Sequence, residues 1–474
     1  MNSGHDRLID GDSATRPQRW PTTQHDRSRM AVSDRRRSRV LRIGRGRLAV
    51  VMLAVVGVVI SACSDGHIDV RSVASPGWSS YGGNAANSNF AYPTVPDDLT
   101  LSWTRPTGGP VTAPITLSNQ SNVGVTSTTA NGCNLLVLDP NSGRKNFCKR
   151  MRTGVEVNAL LVDQFDQPYI GEETTFLAFN AGGAIRWRMP VIGVPLSAKF
   201  AAPNVVSVVT TQGQILLLDT QTADPVAPEV RLRADADPDK PLAGFGDCVA
   251  NGPRCAVPAP PAVDVQRQRL YLNFWPQGAI ASRITAMDYA AHNGGRTVRE
   301  AWHADVPGGV VGAPTLSADG TTVYTFSRLG QIVAIDADTG HTRWTYDNGG
   351  YGFASMTVSP DGLIIPTGVL GAPLTLIADR GDRAERLWKR DDLATVSLST
   401  LTSAKTAWTV VRDRGRDSLS LIEVSATDGS TKRTLALPDS VGFATGVSVS
   451  PAGQVALATN IGEVYFFDSK KNVD

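Results

Sequence analysis

From about residue 130 to the C-terminus, short apolar runs recur along the chain, each ended by an acid, an amide or a small stand-in and then by turn residues. In the clearest copy, Gln-Ile-Val-Ala-Ile (331–335) runs into Asp336, then Thr339-Gly340, then Trp344. The same phrase ends near Asp139, Asn180, Asp219, Asp288, Asp336, Asp379, Val424 and Asp468, mostly at intervals of 39–48 residues. One interval, from Asp219 to Asp288, is 69 residues and holds the segment 233–260. Second strands carrying Trp187, Trp302, Trp344 and Trp388 follow several of the runs. Runs this short and β-prone, bounded by Asp, Asn, Gly and Pro, predict strands joined by tight turns.

The residues say how such a hairpin works. The run 331–335 is apolar on both faces, as a strand covered on both sides requires. Asp336 can accept from amides two or three residues further on, an Asx-type turn, and Asp139 and Asp219 hold the same structural place in their copies of the repeat. Gly340 supplies a positive φ where the chain reverses. Trp344 offers a broad face to a neighbouring sheet and an N–H that needs an acceptor. One such sheet cannot cover both its faces, but radial repetition can, so the period predicts an all-β propeller of four-stranded blades. Eight copies of the run favour eight blades, with seven as the fallback if the degenerate copy at Val424 is discounted. The last copy, at Asp468, lacks room for an outer strand. The segment 99–106, which carries Trp103, is expected to supply it and close the ring.

The run VYTFSRLGQIVAIDADTGHTRWTY (323–346) and the opening WSSYGGNAANSNFAYP (78–93), followed by LTLSWTRP, resemble the PQQ-type β-propeller repeat. Quinoprotein alcohol dehydrogenases and the propeller lipoprotein of the β-barrel assembly machinery carry this repeat. The resemblance spans roughly residues 76–474, with eroded copies at 220–300 and 390–440. It implies the fold and says little of function.

Charge changes the picture only at the N-terminus. Residues 1–62 hold twelve Arg against five Asp, whereas the remainder has 34 Lys and Arg against 39 Asp and Glu. The basic balance is thus confined to a leader, and no basic stripe in the remainder points to nucleic acid. Residues 1–34 are polar without apolar period, and Met30 is an alternative start. Residues 35–62 join seven Arg to a 13-residue apolar core, the layout of an export signal. ISAC (60–63) resembles the bacterial lipobox, which implies that Cys63 becomes a lipidated N-terminus, with 63–75 as a tether. Arg36-Arg37 fits a twin-arginine signal only loosely. The expected location is the extracytoplasmic face of a bacterial envelope membrane.

Cysteine spacing agrees with export. Cys133 and Cys148 flank the turn DPNSG (139–143), and Cys248 and Cys255 bracket a Gly-Pro loop. Both pairs are expected to be disulfides, since zinc would want CxxC spacing and more His.

A catalytic set is harder to assemble. A quinoprotein would need a quinone over a Trp, calcium on carboxylate and amide oxygens, an Asp base and, in many of these enzymes, two adjacent cysteines. No two cysteines here are adjacent, and Asp288 of the dipeptide Asp-Tyr falls where the repeat places its turn acid. There is no GxSxG, HExxH or phosphate loop. DADPD (235–239) begins like a calcium loop but lacks its later Gly and acid. No catalytic residue, metal site or cofactor is therefore expected. The reading is a lipid-anchored, non-catalytic scaffold for an envelope protein or peptide. The alternative is a divergent quinoprotein oxidoreductase or ligand-binding propeller using PQQ with calcium.

Overall fold

The computed structural model describes residues 71–469 except 293–294, 351–354, 367–371 and 414. The leader and Cys63 lie outside the described residues.

The strand–turn–strand pattern becomes antiparallel four-strand meanders. The clearest is Val310–Leu316, Thr322–Ser327, Gln331–Asp336 and Thr342–Asp347, paired in that order. Its first three strands are buried almost throughout, whereas the fourth alternates and turns polar residues outward. That gradient is what an inner-to-outer stack should give. Among the described residues there are six separate four-stranded sheets. A nine-stranded sheet unites two further meanders with Phe90–Ala91, the meanders meeting where Thr395 pairs with Val411.

The first strands of the meanders include Thr116–Leu117, Val310–Leu316, Thr357–Val358, Thr400–Thr402 and Ala444–Val449. Each of the last three packs on its predecessor, and Ala444–Val449 also packs on Thr116–Leu117, so the succession returns to its start. Leu99–Pro106 pairs antiparallel with Glu463–Ser469, Thr100 opposite Asp468, and is the outer strand of the last meander. The strand carrying Trp103 thus sits where the missing outer strand was expected.

Two sets of connections emerge on opposite sides. First-to-second and third-to-fourth strand turns share one side, here the turn face. Second-to-third turns and the crossings between meanders share the other, the loop face.

Residues 71–92 run along the turn face as a plug, offering backbone groups to one inner strand after another. The carbonyls of Trp78, Ser79, Ala85, Ala86, Ser88 and Asn89 accept from the amides of Leu117, Val162, Val263, Leu316, Val358 and Leu401. Asn87 Nδ2 donates to the carbonyls of Pro261 and Pro314 at 3.0 Å. Of the segment 63–75, residues 71–75 are described, and they are bonded to the sheets. Ser72 N donates to the side-chain Oδ1 of Asn204 at 2.6 Å, and Ser75 N donates to the Val162 carbonyl at 2.9 Å on an otherwise open strand edge.

Candidate functional site

The repeat residues form a clamp between successive meanders. Asp139, Asp219 and Asp336 each accept, through Oδ1, from two backbone amides of their own turn and from a Ser or Thr hydroxyl. Asp336 also pairs with Arg343 at 2.7 Å, and this hydrogen bond, foremost among several, holds its carboxyl well below the usual range. Each turn so fixed receives an indole from the meander before it. Trp103, Trp187, Trp302 and Trp388 donate to the carbonyls of Pro140, Thr220, Ala337 and Ala426 at 2.8–3.0 Å. Trp344 donates to Asp379 Oδ1 at 3.0 Å, and Tyr324 donates to the other oxygen of that carboxylate at 2.6 Å. Asp288 ends its strand paired with Arg269 at 2.6 Å.

The axis is filled from the plug. Tyr81 is buried against Ala113, Ala159, Ala259 and Ala313, all at or near the starts of inner strands. Lys199, wholly buried on an inner strand, donates to Ser80 Oγ at 3.1 Å, to the Asn84 carbonyl at 2.6 Å and to the Tyr81 carbonyl. Burial drives its amine well below the ordinary lysine range. No sequence signal marked Lys199, because a lysine preceding Phe-Ala-Ala reads as the solvent end of a strand. Its three acceptors lie more than a hundred positions away in the chain.

Both disulfides lie toward the loop face. Cys133–Cys148 ties a second-to-third turn to the outer strand Lys145–Lys149. Cys248–Cys255 closes the tip of the 233–260 insertion, next to the short helix Phe245–Cys248. Asp247 pairs with Arg254 inside that tip at 2.7 Å. Asn251 Oδ1 accepts from Gly312 N and Asn273 Nδ2, each at 3.2 Å, which anchors the tip above the inner strands. In the acidic run 235–239, Asp235 pairs with Arg233 and Asp237 with Lys240.

Around this tip the loop face carries exposed apolar side chains. Val249 and Ile280 are 79% and 99% exposed, and Leu329 stands beside them on the next turn. Arg328 fixes that turn by donating to the Ala250 and Asn251 carbonyls while lying over the Trp275 ring at 5.5 Å. Val441, Phe443 and Ile461 form a second exposed group, pinned where Asn460 Oδ1 accepts from Phe443 N at 2.8 Å. Seven of the twelve large exposed apolar side chains described lie on this face, which makes it the candidate binding surface.

Comparison with known proteins agrees with this architecture. Residues 282–472 match the family model of the outer membrane protein assembly factor BamB. The chain is 32% identical over 413 residues to Protein Rv3035 of Mycobacterium tuberculosis, covering 86% of this chain and 100% of that protein. The chain belongs to the Rv3035 family. Two solved structures resemble this Rv3035-family chain in fold. BamB from Moraxella catarrhalis aligns with TM-score 0.53 and 16% identity, over 78% of this chain and 99% of its own. The quinohemoprotein alcohol dehydrogenase from Comamonas testosteroni aligns with TM-score 0.58 and 12% identity, over 84% and 81%. The fold is a PQQ-type β-propeller.

The described tryptophans of this family member are held by the protein's own groups. Five of the eight described tryptophans are committed to the clamps, Trp408 is buried inside a meander, Trp78 packs on Gly83, and Trp275 lies under Arg328. From the plug, Tyr81 packs on alanine methyls. Among the described residues no cluster of three or more His, Cys, Asp and Glu is placed to hold a metal ion.

Proposed function

We propose that this chain is an exported, lipid-anchored propeller that works as a non-catalytic scaffold, docking an envelope protein or peptide on its loop face. The observation that carries the reading is the exposed apolar set Val249, Ile280 and Leu329 on turns held rigid by Cys248–Cys255, Arg328 and Asn251. Rigid turns bearing apolar side chains gain more from docking than flexible ones, because less conformational freedom is lost. The two disulfides suit an oxidising compartment, and Cys63 would provide the membrane attachment.

The partner would bring apolar anchors to the Ile280–Leu329 region. Photo-crosslinkable residues at Ile280 and Leu329 should capture one common protein in the native host, while the same probe at Ile185 on an outer strand should not. With the probe moved to the exposed Val249, Ile280→Asp together with Leu329→Asp should abolish capture without lowering the melting temperature. Titration of the full chain with PQQ and calcium, followed by quinone absorbance and thermal shift, tests the oxidoreductase alternative. Saturable one-to-one binding there would overturn the scaffold reading.

A further inference from the structure

On the turn face, between the first two meanders, lies a cavity of about 330 Å³. Its floor is apolar, made by Val137, Leu160 and Val162. Its polar wall holds Gln120, Asn122, Asn146 and Asp166, with the half-exposed ring of Phe165 beside them. These groups are already ordered. Asn146 Nδ2 donates to Asn122 Oδ1 at 2.8 Å, and Asn122 Nδ2 donates to Asp166 Oδ2 at 3.2 Å. The Asp166 carboxyl also meets the side chain of Ser118, another residue of the lining.

The lining also selects. No Lys, Arg or His lines the cavity, while Asp139 and Asp166 both do, so a phosphate or carboxylate ligand would meet like charge without a counter-ion. Amides and a carboxyl offer donors and acceptors to adjacent hydroxyls, and an aromatic ring and apolar floor suit the C–H face of a ring. The volume stands at the lower end of the roughly 300–1,000 Å³ usual for small-ligand sites.

We propose that this cavity binds a neutral hydroxylated ligand, one pyranose ring of a saccharide, with Asp166 accepting from a ring hydroxyl and Asn122 and Asn146 bridging its neighbours. This site is separate from the loop face and does not depend on the scaffold reading.

The test is binding of the full-length protein to an array of neutral hexose and pentose oligosaccharides, then calorimetry with the best free monosaccharide and its polymer. Binding to the free sugar would assign a soluble ligand, and binding only to the polymer would assign a glycan chain. In either case Asp166→Ala and Asn122→Ala should each weaken binding at least tenfold. Asn146→Ala, on the exposed rim, provides the same test should the first two fail to fold. The proposal is overturned if no neutral saccharide binds to folded protein. It is equally overturned if binding is indifferent to all three substitutions, or if ethanolamine binds as tightly as any sugar.

Discussion

Gly340 lies flat against the indole of Trp302: a Cβ at that glycine would stand 2.7 Å from Trp302 Cε3, and its φ is +77°. Gly143 meets Trp103 and Gly429 meets Trp388 in the same way, so the turn glycine serves both the reversal and the seat of the preceding indole. Gly340→Ala therefore incurs left-handed strain and overpacking together. The expected loss is about 2–4 kcal/mol, read as a lower urea midpoint at unchanged slope. A loss below about 0.5 kcal/mol, the size of an ordinary surface change, would mean that the indole moves aside freely.

Lys199→Met should unfasten the plug. The buried Tyr81 carbonyl would lose its donor, at a cost of roughly 1–3 kcal/mol, and the Asn84 carbonyl would keep only the 3.3 Å bond from Asn87 N. Relief from burying an amine works in the opposite direction, so the net expectation is a loss of about 2 kcal/mol. Limited proteolysis should then cut within residues 78–92 well before the rest of the chain. Unchanged protease resistance would show that the strand-edge hydrogen bonds alone hold the plug.

The Asp336–Arg343 pair makes a prediction about acid. The folded carboxyl titrates below its unfolded value of about 3.9, so its stabilisation is complete above that value and is lost as pH falls through the lower folded one. Asp336→Asn should lower stability by about 1–2 kcal/mol at pH 7, in the ordinary range for a lost cap or turn contact, and by progressively less below pH 4. Parallel urea midpoints for the two proteins across that range would refute the coupling.

The two disulfides should differ in weight. In the chain-entropy model, closing the 15-residue Cys133–Cys148 loop is worth about 3 kcal/mol, and the seven-residue Cys248–Cys255 loop about 2 kcal/mol. Paired Ser replacements should lower the melting temperature in that order. Only the second should also weaken crosslinking through Ile280 and Leu329, since only its loop shapes that surface.

The clamp was largely legible in the sequence, and the plug was not. Asp139, Gly340 and Trp344 work within one hairpin or between adjacent meanders, so a regular period exposes them. Asn87, Asn89 and Lys199 act across the ring on partners without periodic spacing, Asn87 reaching a carbonyl 227 positions away. A lone amide or lysine in such a stretch reads as solvated surface. The cavity at Asp166 escaped for a similar reason. Its wall comes from two different meanders, and its carboxylate sits in Asp-Gln-Phe-Asp-Gln, which reads as any polar turn. Exposed Ile280 and Leu329 were equally silent, because a lone apolar residue in a turn is unremarkable until its neighbours in space are known.

The outer strand of the last meander has a kinetic consequence. Thr100 waits for Asp468, 368 positions later, so the fold cannot become complete until almost the whole chain has emerged. Until then the growing protein is an open arc with a bare strand edge at each end, a ready template for mispairing. The last step joins the most distant parts of the polypeptide in a single registration event, the kind of contact that makes folding slow. A chain stopped short of residue 463 would leave Leu99–Pro106 without its partner, an unpaired strand at the seam where the two ends of the polypeptide should meet.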